Sequence, residues 1–177
     1  MKKVEVHYPP QFANLPDEEP AIFLAGPIQG APDWQEKAVK TFRKIDLPWP
    51  LHVFTPRVPR VSSSQEISHS YERQVMWEKR HLEKARDIGA VLFWFAAKDD
   101  SLPYPEGRAY AQTSRIELGR VFGWRDLMAT TIAMGIEPGY QGSVNYIKSM
   151  ADEYGIHIYD DLASLCRASV HFMIGRS

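Results

Sequence analysis

The sequence has few of the features that mark disulfide-bonded, zinc-binding or membrane proteins. It contains one cysteine, Cys166, so no disulfide can form within the chain, and no Cys/His cluster has the spacing of a zinc site. No apolar run approaches the roughly 20 residues that a membrane helix needs. Charge of one sign is not in excess either, because 21 Lys and Arg nearly balance 22 Asp and Glu. We therefore expect no bound metal and no membrane span, and binding to a nucleic acid polymer is disfavoured.

What is present is the composition of an ordinary globular protein. Hydrophobic residues make up 44% and charged residues 24% of the 177 positions, and a chain of this length forms one domain with one main core. Such a domain buries roughly 70% of the surface of its unfolded chain. The amino-terminal residues Met-Lys-Lys-Val-Glu-Val-His lack the apolar stretch of a signal peptide. We expect a cytoplasmic protein.

The chain divides into a short arm and an alternating remainder. Residues 1–20 contain four prolines and scattered acids, which predicts an irregular amino-terminal arm, and residues 21–177 form the single domain. Apolar runs predict strands at Ala21–Ala25, Leu51–Thr55, Ile88–Ala97, Thr130–Met134 and Ile156–Tyr159. Between and after them, helices are predicted at Trp34–Lys44, Glu66–Arg86, Tyr110–Trp124 and Ser143–Tyr154, and from Asp160 or Asp161 to Met173.

This alternation predicts an α/β fold, a three-layer doubly wound sheet of about five parallel strands, flavodoxin-like or Rossmann-like. The uninterrupted apolar character of Ile88–Ala97 indicates a central strand buried on both faces. Ligands of such sheets bind beyond the carboxyl ends of the strands, at a switch point. The loops at Gly26–Pro32, Thr55–Gln65, Ala97–Ala109 and Gly135–Gly142 are therefore the candidate ligand-binding loops.

Glu117 is the first candidate for chemistry. It lies near the start of the helix that follows the central strand, where the helix dipole would keep a carboxylate ionised and available as a nucleophile. Thr113 and Ser114 supply hydroxyls and a candidate N-cap in the same turn. Acids near the start of a helix are also common helix stabilisers, so this position alone does not distinguish catalysis from a structural role.

Glu78 is the second candidate. Gln74, Glu78 and His81 share one helical face by their spacing, and that face would present an acid and two hydrogen-bonding groups to a heterocycle. A solvated, charge-rich helix face is the common alternative. The turn at Gly26 and Pro27 follows a buried strand and would bring backbone amides close to a ligand. No Gly-x-Gly-x-x-Gly or Gly-x4-Gly-Lys-Ser/Thr motif occurs. The sequence therefore predicts neither a classical dinucleotide-binding site nor a P-loop nucleotide site.

Taken in order, these segments resemble the nucleoside 2-deoxyribosyltransferase family, in particular its broader deoxyribosyltransferase-like branch. The resemblance covers Ala21 to about Phe172. It rests on Ile22-Phe-Leu-Ala-Gly-Pro-Ile28 followed by Asp33-Trp-Gln35, on Gln74-Val-Met-Trp-Glu78 with His81-Leu82, on Leu92-Phe-Trp-Phe95, on Ser114-Arg-Ile-Glu-Leu-Gly119, and on Gly135–Gly142 with Asp160-Asp-Leu162.

The resemblance implies a mechanism and a set of roles. Glu117 would attack the anomeric carbon of a (deoxy)nucleoside or nucleotide and form a glycosyl-enzyme ester, while Glu78 would handle the proton of the departing base. A free nucleobase or water would then take the sugar. The implied substrate-binding residues are Gly26, Pro27, Ile28, Gln35, Gln74, Ser114 and Arg115. The family's members are oligomers, so a homo-oligomer is expected, and the mechanism requires neither cofactor nor metal.

The chain departs from the family pattern at Phe23 and in extra residues, Lys84–Ile88, between Leu82 and the central strand. Phe23 stands where many members have a tyrosine that hydrogen-bonds the nucleophile. Arg115, beside Glu117, would suit a phosphorylated substrate or would pair with a nearby acid. Three functions therefore stay open: a deoxyribosyltransferase, an N-glycosidase that hydrolyses the same bond, and a non-catalytic nucleotide-binding protein.

Overall fold

The computed structural model describes residues 3–16, 18–58 and 71–175. Along the chain the elements are β1 (Val4–His7), β2 (Ala21–Ala25), α1 (Trp34–Phe42), β3 (Leu51–Phe54), α2 (Tyr71–Ile88), β4 (Ala90–Phe95), α3 (Gln112–Leu127), β5 (Thr131–Ile136), α4 (Val144–Glu153), β6 (Ile158–Tyr159) and α5 (Leu162–Ile174). The part of the predicted long helix before Tyr71 lies outside the described residues.

All six strands form one parallel sheet in the order β1-β3-β2-β4-β5-β6. Without β1, this is the strand order of flavodoxin-like sheets. Helices α1 and α5 contact each other on one side, whereas α2 packs on β2 and β4 from the other. An ion pair of 2.7 Å between Arg120 and Glu83 joins α3 to α2, and the rings of Phe122 and Tyr154 join α3 to the end of α4. The predicted three-layer fold is confirmed.

The amino-terminal arm contains the sixth strand, so the expectation that the whole arm is irregular was wrong for Val4–His7. These residues pair with β3 from Val4↔Leu51 to His7↔Phe54. Val4 and Val6 alternate with Glu5 and His7, the period-2 pattern of a half-buried edge strand. The four-residue pattern was too short to stand out among the arm's prolines. The division of the chain near residue 20 stays a prediction.

The core confirms the apolar patterns that predicted the sheet and α1. Every residue of β2, β3, β4 and β5 is buried, as expected for a parallel sheet covered on both faces. Helix α1 buries Trp34, Ala38 and Phe42 as predicted. The amide of Glu36 donates to Asp33 Oδ1 at 3.0 Å, which confirms the predicted cap.

The start of α3 differs from the prediction. Its N-cap is Ala111, at φ 55°, and no side chain caps the helix. Thr113 and Ser114 lie inside the first turn, so the predicted hydroxyl cap was wrong. Among the described helices, none is both long enough and apolar enough to cross a membrane.

Glycine at position 89 is required by the packing of β2 beside β4. A Cβ atom there would overlap the carbonyl of Ala21, whereas one at Gly123, on the exposed side of α3, would meet nothing within 4 Å. We expect Gly89→Ala to lower the free energy of unfolding by about 3 kcal/mol or more, because backbone must move. We expect Gly123→Ala to raise it by about 0.5–1 kcal/mol through helix propensity. Urea unfolding followed by tryptophan fluorescence measures both, and equal effects would contradict the overlap.

Candidate active site

The site lies at the carboxyl edge of the sheet, where β2 is flanked by β3 and β4. The chain leaves β2 through α1 to reach β3, and then returns over the other face through α2 to reach β4. The carboxyl ends of β2 and β4 are therefore the switch point at which such folds bind ligands. The loops after these two strands are linked, since the amide of Asp99 donates to the carbonyl of Gly30 at 2.8 Å.

The loop after β2 holds the predicted residues Gly26, Pro27 and Ile28 against the sheet. Gly26 has φ +154°, and a Cβ atom there would overlap both the Trp94 carbonyl and the Trp34 ring, so only glycine fits. The indole Nε1 of Trp34 donates to the carbonyl of Pro27 at 2.8 Å. The turn thus has a fixed backbone next to the end of β4.

Arg57 organises the same loop, and sequence reasoning missed it. Its Nη2 donates to the carbonyl of Ile28 at 2.6 Å and to that of Ala31 at 3.1 Å, and its Nε lies 3.8 Å from Asp33 Oδ1. The carboxyl-end rule pointed to the loop from Thr55, but nothing in the sequence distinguished this arginine from others. The rest of that predicted loop, from residue 59, lies outside the described residues.

Arg108 is a second bridging residue that the sequence analysis did not identify. Its guanidinium donates to Gln29 Oε1 at 3.0 Å and to Thr113 Oγ1 at 2.9 Å. It therefore joins the loop after β2 to the first turn of α3, across the mouth of the switch point. Gln29 lies 79 residues before Arg108 in the chain, so no local pattern could have revealed this bridge.

Glu78 on α2 and Glu117 on the adjacent helix α3 lie close enough for their charges to interact. Each lies in the amino-terminal half of its helix, which is the half nearer the carboxyl edge of the sheet. Both side chains are partly buried. The amide of Gln74 donates to Glu78 Oε1 at 2.6 Å and to the carbonyl of Pro56 at 3.2 Å, so the predicted pairing of Gln74 with Glu78 on one face is confirmed.

His81 does not join this face, contrary to the prediction. It is 1% exposed, and its Nδ1 donates to the carbonyl of Trp77 at 2.8 Å. Its Nε2 accepts from the amide of Ala13 at 3.0 Å. Burial lowers the pKa of His81 to about 4, which keeps the ring neutral. His81 therefore connects the amino-terminal arm to α2 and is not positioned to contact a ligand beside Glu78.

The two carboxyls have raised pKa values. Burial, and then the charge of Glu78, raise the pKa of Glu117 to about 8. Burial also raises the pKa of Glu78, against the lowering effect of its hydrogen bond from Gln74. The expectation that the helix dipole keeps Glu117 ionised was wrong. The dipole acts within the first turn of a helix, whereas Glu117 lies beyond that turn and its side chain is desolvated. With a pKa of about 8, Glu117 thus retains its proton near neutral pH.

Among the described residues, none hydrogen-bonds the carboxyl of Glu117. Phe23, in the middle of β2, is 1% exposed and packs 6.3 Å from Trp77, ring centroid to ring centroid. It offers no hydroxyl. Arg120 contributes only a favourable charge, because its Nη2 is bound to Glu83. Ser114, buried one turn before Glu117 on the same side of α3, is the nearest predicted hydroxyl along the helix.

The structure separates two of the predicted residues from the acid pair. Arg115 points to α4, where its Nη1 lies 3.4 Å from Ser143 Oγ in a groove of about 390 Å³ between α3 and α4. Gln35 is 2% exposed on α1, on the opposite face of the sheet from α2 and α3, and neither atom of its amide finds a partner among the described residues. Their roles in binding stay predictions.

The raised pKa of Glu117 makes stability depend on pH. When the pKa of an acid is higher in the folded than in the unfolded protein, the fold loses stability as pH rises between the two values. For Glu117 these are a pKa of 4.5 in the unfolded chain and about 8 in the folded protein. We expect Glu117→Gln to remove a loss of about 2–4 kcal/mol between pH 5 and pH 9, less than the full shift because the side chain is partly solvated. Urea unfolding at both pH values tests this, with the exposed Glu106→Gln as control. If the free energy of unfolding fell equally with pH in the unaltered protein and in both variants, the expectation would be contradicted.

Comparison with known proteins identifies the family of the chain. A family model described as nucleoside 2-deoxyribosyltransferase like matches residues 19–126, more than half of the chain. The matched stretch includes the loop after β2, Gln74 and Glu78 on α2, and Glu117 on α3. A search of curated proteins gave no match. The match confirms the resemblance found in the sequence, and the chain belongs to the nucleoside 2-deoxyribosyltransferase-like family.

Proposed function

We propose that this protein cleaves the N-glycosidic bond of a (deoxy)nucleoside or nucleotide and transfers the sugar to a second nucleobase. The observation that carries the proposal is the carboxyl pair, Glu78 and Glu117, on adjacent helices at the switch point. The pKa of Glu117 is raised to about 8 and that of Glu78 is raised as well, so the pair holds at least one proton near neutral pH. A nucleophile and a proton donor in one site are what cleavage with sugar transfer requires.

In the first step a Glu117 oxygen forms a bond to the anomeric carbon while the bond from that carbon to the base nitrogen breaks. The bonding electrons go to the base, and Glu78 supplies its proton. In the second step an incoming base attacks the anomeric carbon, the ester bond to Glu117 breaks, and the incoming base's proton passes to Glu78. Two inversions give net retention at the sugar.

The proton must sit on the correct acid for this chemistry. The hydrogen bond from Gln74 favours the ionised form of Glu78, whereas Glu117 is the more strongly raised acid, so the free protein keeps the proton on Glu117. Positive charge that develops at the sugar during bond breaking stabilises an ionised Glu117. In the proposed first step the proton passes from Glu117 to Glu78 as the bond to the base begins to break, so that Glu117 can attack as a carboxylate and Glu78 can protonate the departing base.

The remaining predicted residues have matching roles. Ser114 and the fixed turn Gly26–Ile28 would hold sugar hydroxyls, and the Gln74 amide would orient Glu78 toward the base. Arg115 would serve a 5′-phosphate only from the α4 side of α3. A homo-oligomer and a cytoplasmic location remain predictions, as does the absence of a cofactor.

A hydrolase would share every step except the last, in which water replaces the second base. A non-catalytic nucleotide-binding protein is favoured by one observation, the hydroxyl-free Phe23 beside the site. Product analysis separates these functions from the transferase.

We expect the purified protein to form a new nucleoside when a deoxynucleoside is incubated with a second free base. Chromatography of deoxynucleosides, ribonucleosides and their 5′-monophosphates, each with and without added base, identifies the substrate. Glu117→Gln should lower the rate by on the order of 10³-fold or more, and the control Glu153→Gln, at an exposed position near the end of α4, should leave it unchanged. Free base formed without exchange would indicate a hydrolase. No turnover, with ligand binding retained, would support the binding protein.

The role of Glu78 predicts a dependence on the departing base. We expect Glu78→Gln to slow cleavage of an ordinary deoxynucleoside by roughly 10²–10⁴-fold, because the base must leave without a proton. A substrate with a strongly acidic base, which leaves as its anion, should be slowed much less. Single-turnover rates for both substrates give the comparison, and an equal loss on both would rule out Glu78 as the proton donor.

A further inference from the structure

We propose that Glu5, His7 and His52 form a binding site for a first-row divalent transition metal ion, in the Zn²⁺ and Co²⁺ class, where β1 joins β3. This His–His–Glu cluster is separate from the carboxyl pair and does not depend on the proposed function. It is built from the strand that the sequence analysis did not predict.

Strand register places the three side chains on one face of the sheet. Glu5 is paired with His52 across the β1–β3 ladder, and His7 follows Glu5 by two residues. Paired residues of parallel strands point to the same side, and residues two apart on one strand do so as well. The sheet therefore fixes these positions before any ion is considered.

The distances fit metal coordination. His7 Nε2 and His52 Nδ1 are 2.9 Å apart, and one ligand atom from each of the three residues lies within 4.8 Å of the others. Zn–N bonds of about 2.0–2.1 Å in a tetrahedral site place two nitrogens about 3.3 Å apart. If the two imidazole rings moved slightly apart, both nitrogens could therefore bind the same ion.

The second nitrogen of His52 is oriented by a carboxylate. His52 is 5% exposed, and its Nε2 lies 2.6 Å from Glu19 Oε2. A carboxylate can only accept, so Nε2 carries the hydrogen and the Nδ1 lone pair faces His7. A carboxylate behind a histidine is the arrangement that holds metal-bound imidazoles in place. Glu19 is thus a positioning residue for this cluster.

The surroundings favour an imidazole-binding ion over Mg²⁺ or Ca²⁺. Two imidazoles and one carboxylate suit Zn²⁺ and Co²⁺, whereas Mg²⁺ and Ca²⁺ prefer oxygen ligands alone. Phe54 closes one side of His7, with ring centroids 5.5 Å apart. Glu5 is exposed and, among the described residues, forms an ion pair only with Lys3, at 3.5 Å, so an ion can reach the site from solvent. Water would complete the coordination.

A bound ion would join the edge strand and the arm to the body of the sheet. His7 lies on β1, His52 on β3, and Glu19 just before β2. Because binding to the folded state alone raises apparent stability, metal would stabilise this edge of the fold. The same contacts without metal would be an ordinary hydrogen-bonded chain from His7 through His52 to Glu19.

The test uses the full chain after dialysis against a chelator. Isothermal titration with Zn²⁺, Co²⁺ and Mg²⁺ should show one tight site for Zn²⁺ and Co²⁺ and none for Mg²⁺, and Zn²⁺ should raise Tm by about 5 °C or more. Bound Co²⁺ should show the visible absorption of a four-coordinate ion, with three protein ligands and one water. No stoichiometric binding of Zn²⁺ or Co²⁺ would overturn the proposal.

Variants locate the site. His7→Gln, at a half-buried position, should weaken Zn²⁺ binding at least 100-fold, and Glu19→Gln should weaken it about 10–100-fold with unchanged stoichiometry. His157→Gln, an exposed histidine elsewhere in the chain, is the matched control and should bind as the unaltered protein does. Unfolding without metal shows whether each variant folds. Equal affinity in His7→Gln and His157→Gln would overturn the assignment.

Discussion

The close pairing of β2 with β4 is the constraint on which the rest of this structure depends. Glycines mark both ends of the pair, since a side chain at Gly89 would overlap Ala21 and one at Gly26 would overlap Trp94. Between them the two strands run in register from Ile22↔Ala90 to Ala25↔Phe93. This pairing sets the switch point, supports α2 across both strands, and fixes the distance from the loop after β2 to α3.

The electrostatics of the site follow from that packing. Once α2 and α3 lie side by side on the sheet, Glu78 and Glu117 share a partly desolvated space. Desolvation and mutual repulsion then decide where a proton resides, and the helix dipole has little influence at these positions. The order of the elements along the chain thus creates an acid pair from residues that are far apart in sequence.

Much of the fold was predictable because its determinants are local. The apolar runs at Ala21–Ala25 and Ala90–Phe95, together with the Asp33 cap, contain the information that specifies their structures. Glu78, Glu117 and the Gly26 turn were also singled out as candidates, from their places on the predicted helices and after β2 and from the order of the motifs; their roles in a site stay predictions. Arg57 and Arg108 were not, because their roles arise from carbonyls and side chains of other loops. The pKa of Glu117 likewise depends on a neighbour from another helix, which no local pattern contains.

The contacts of the amino-terminal arm tie α2 to the segment between β1 and β2. The carbonyl of Gln11 accepts from Trp77 Nε1 at 2.7 Å, and the amide of Ala13 donates to His81. The arm is therefore hydrogen-bonded to two successive turns of α2. Glu78 directly follows Trp77 on that helix. The arm is therefore joined to the turns of α2 that flank Glu78, and loosening the arm would shift the position of that carboxyl.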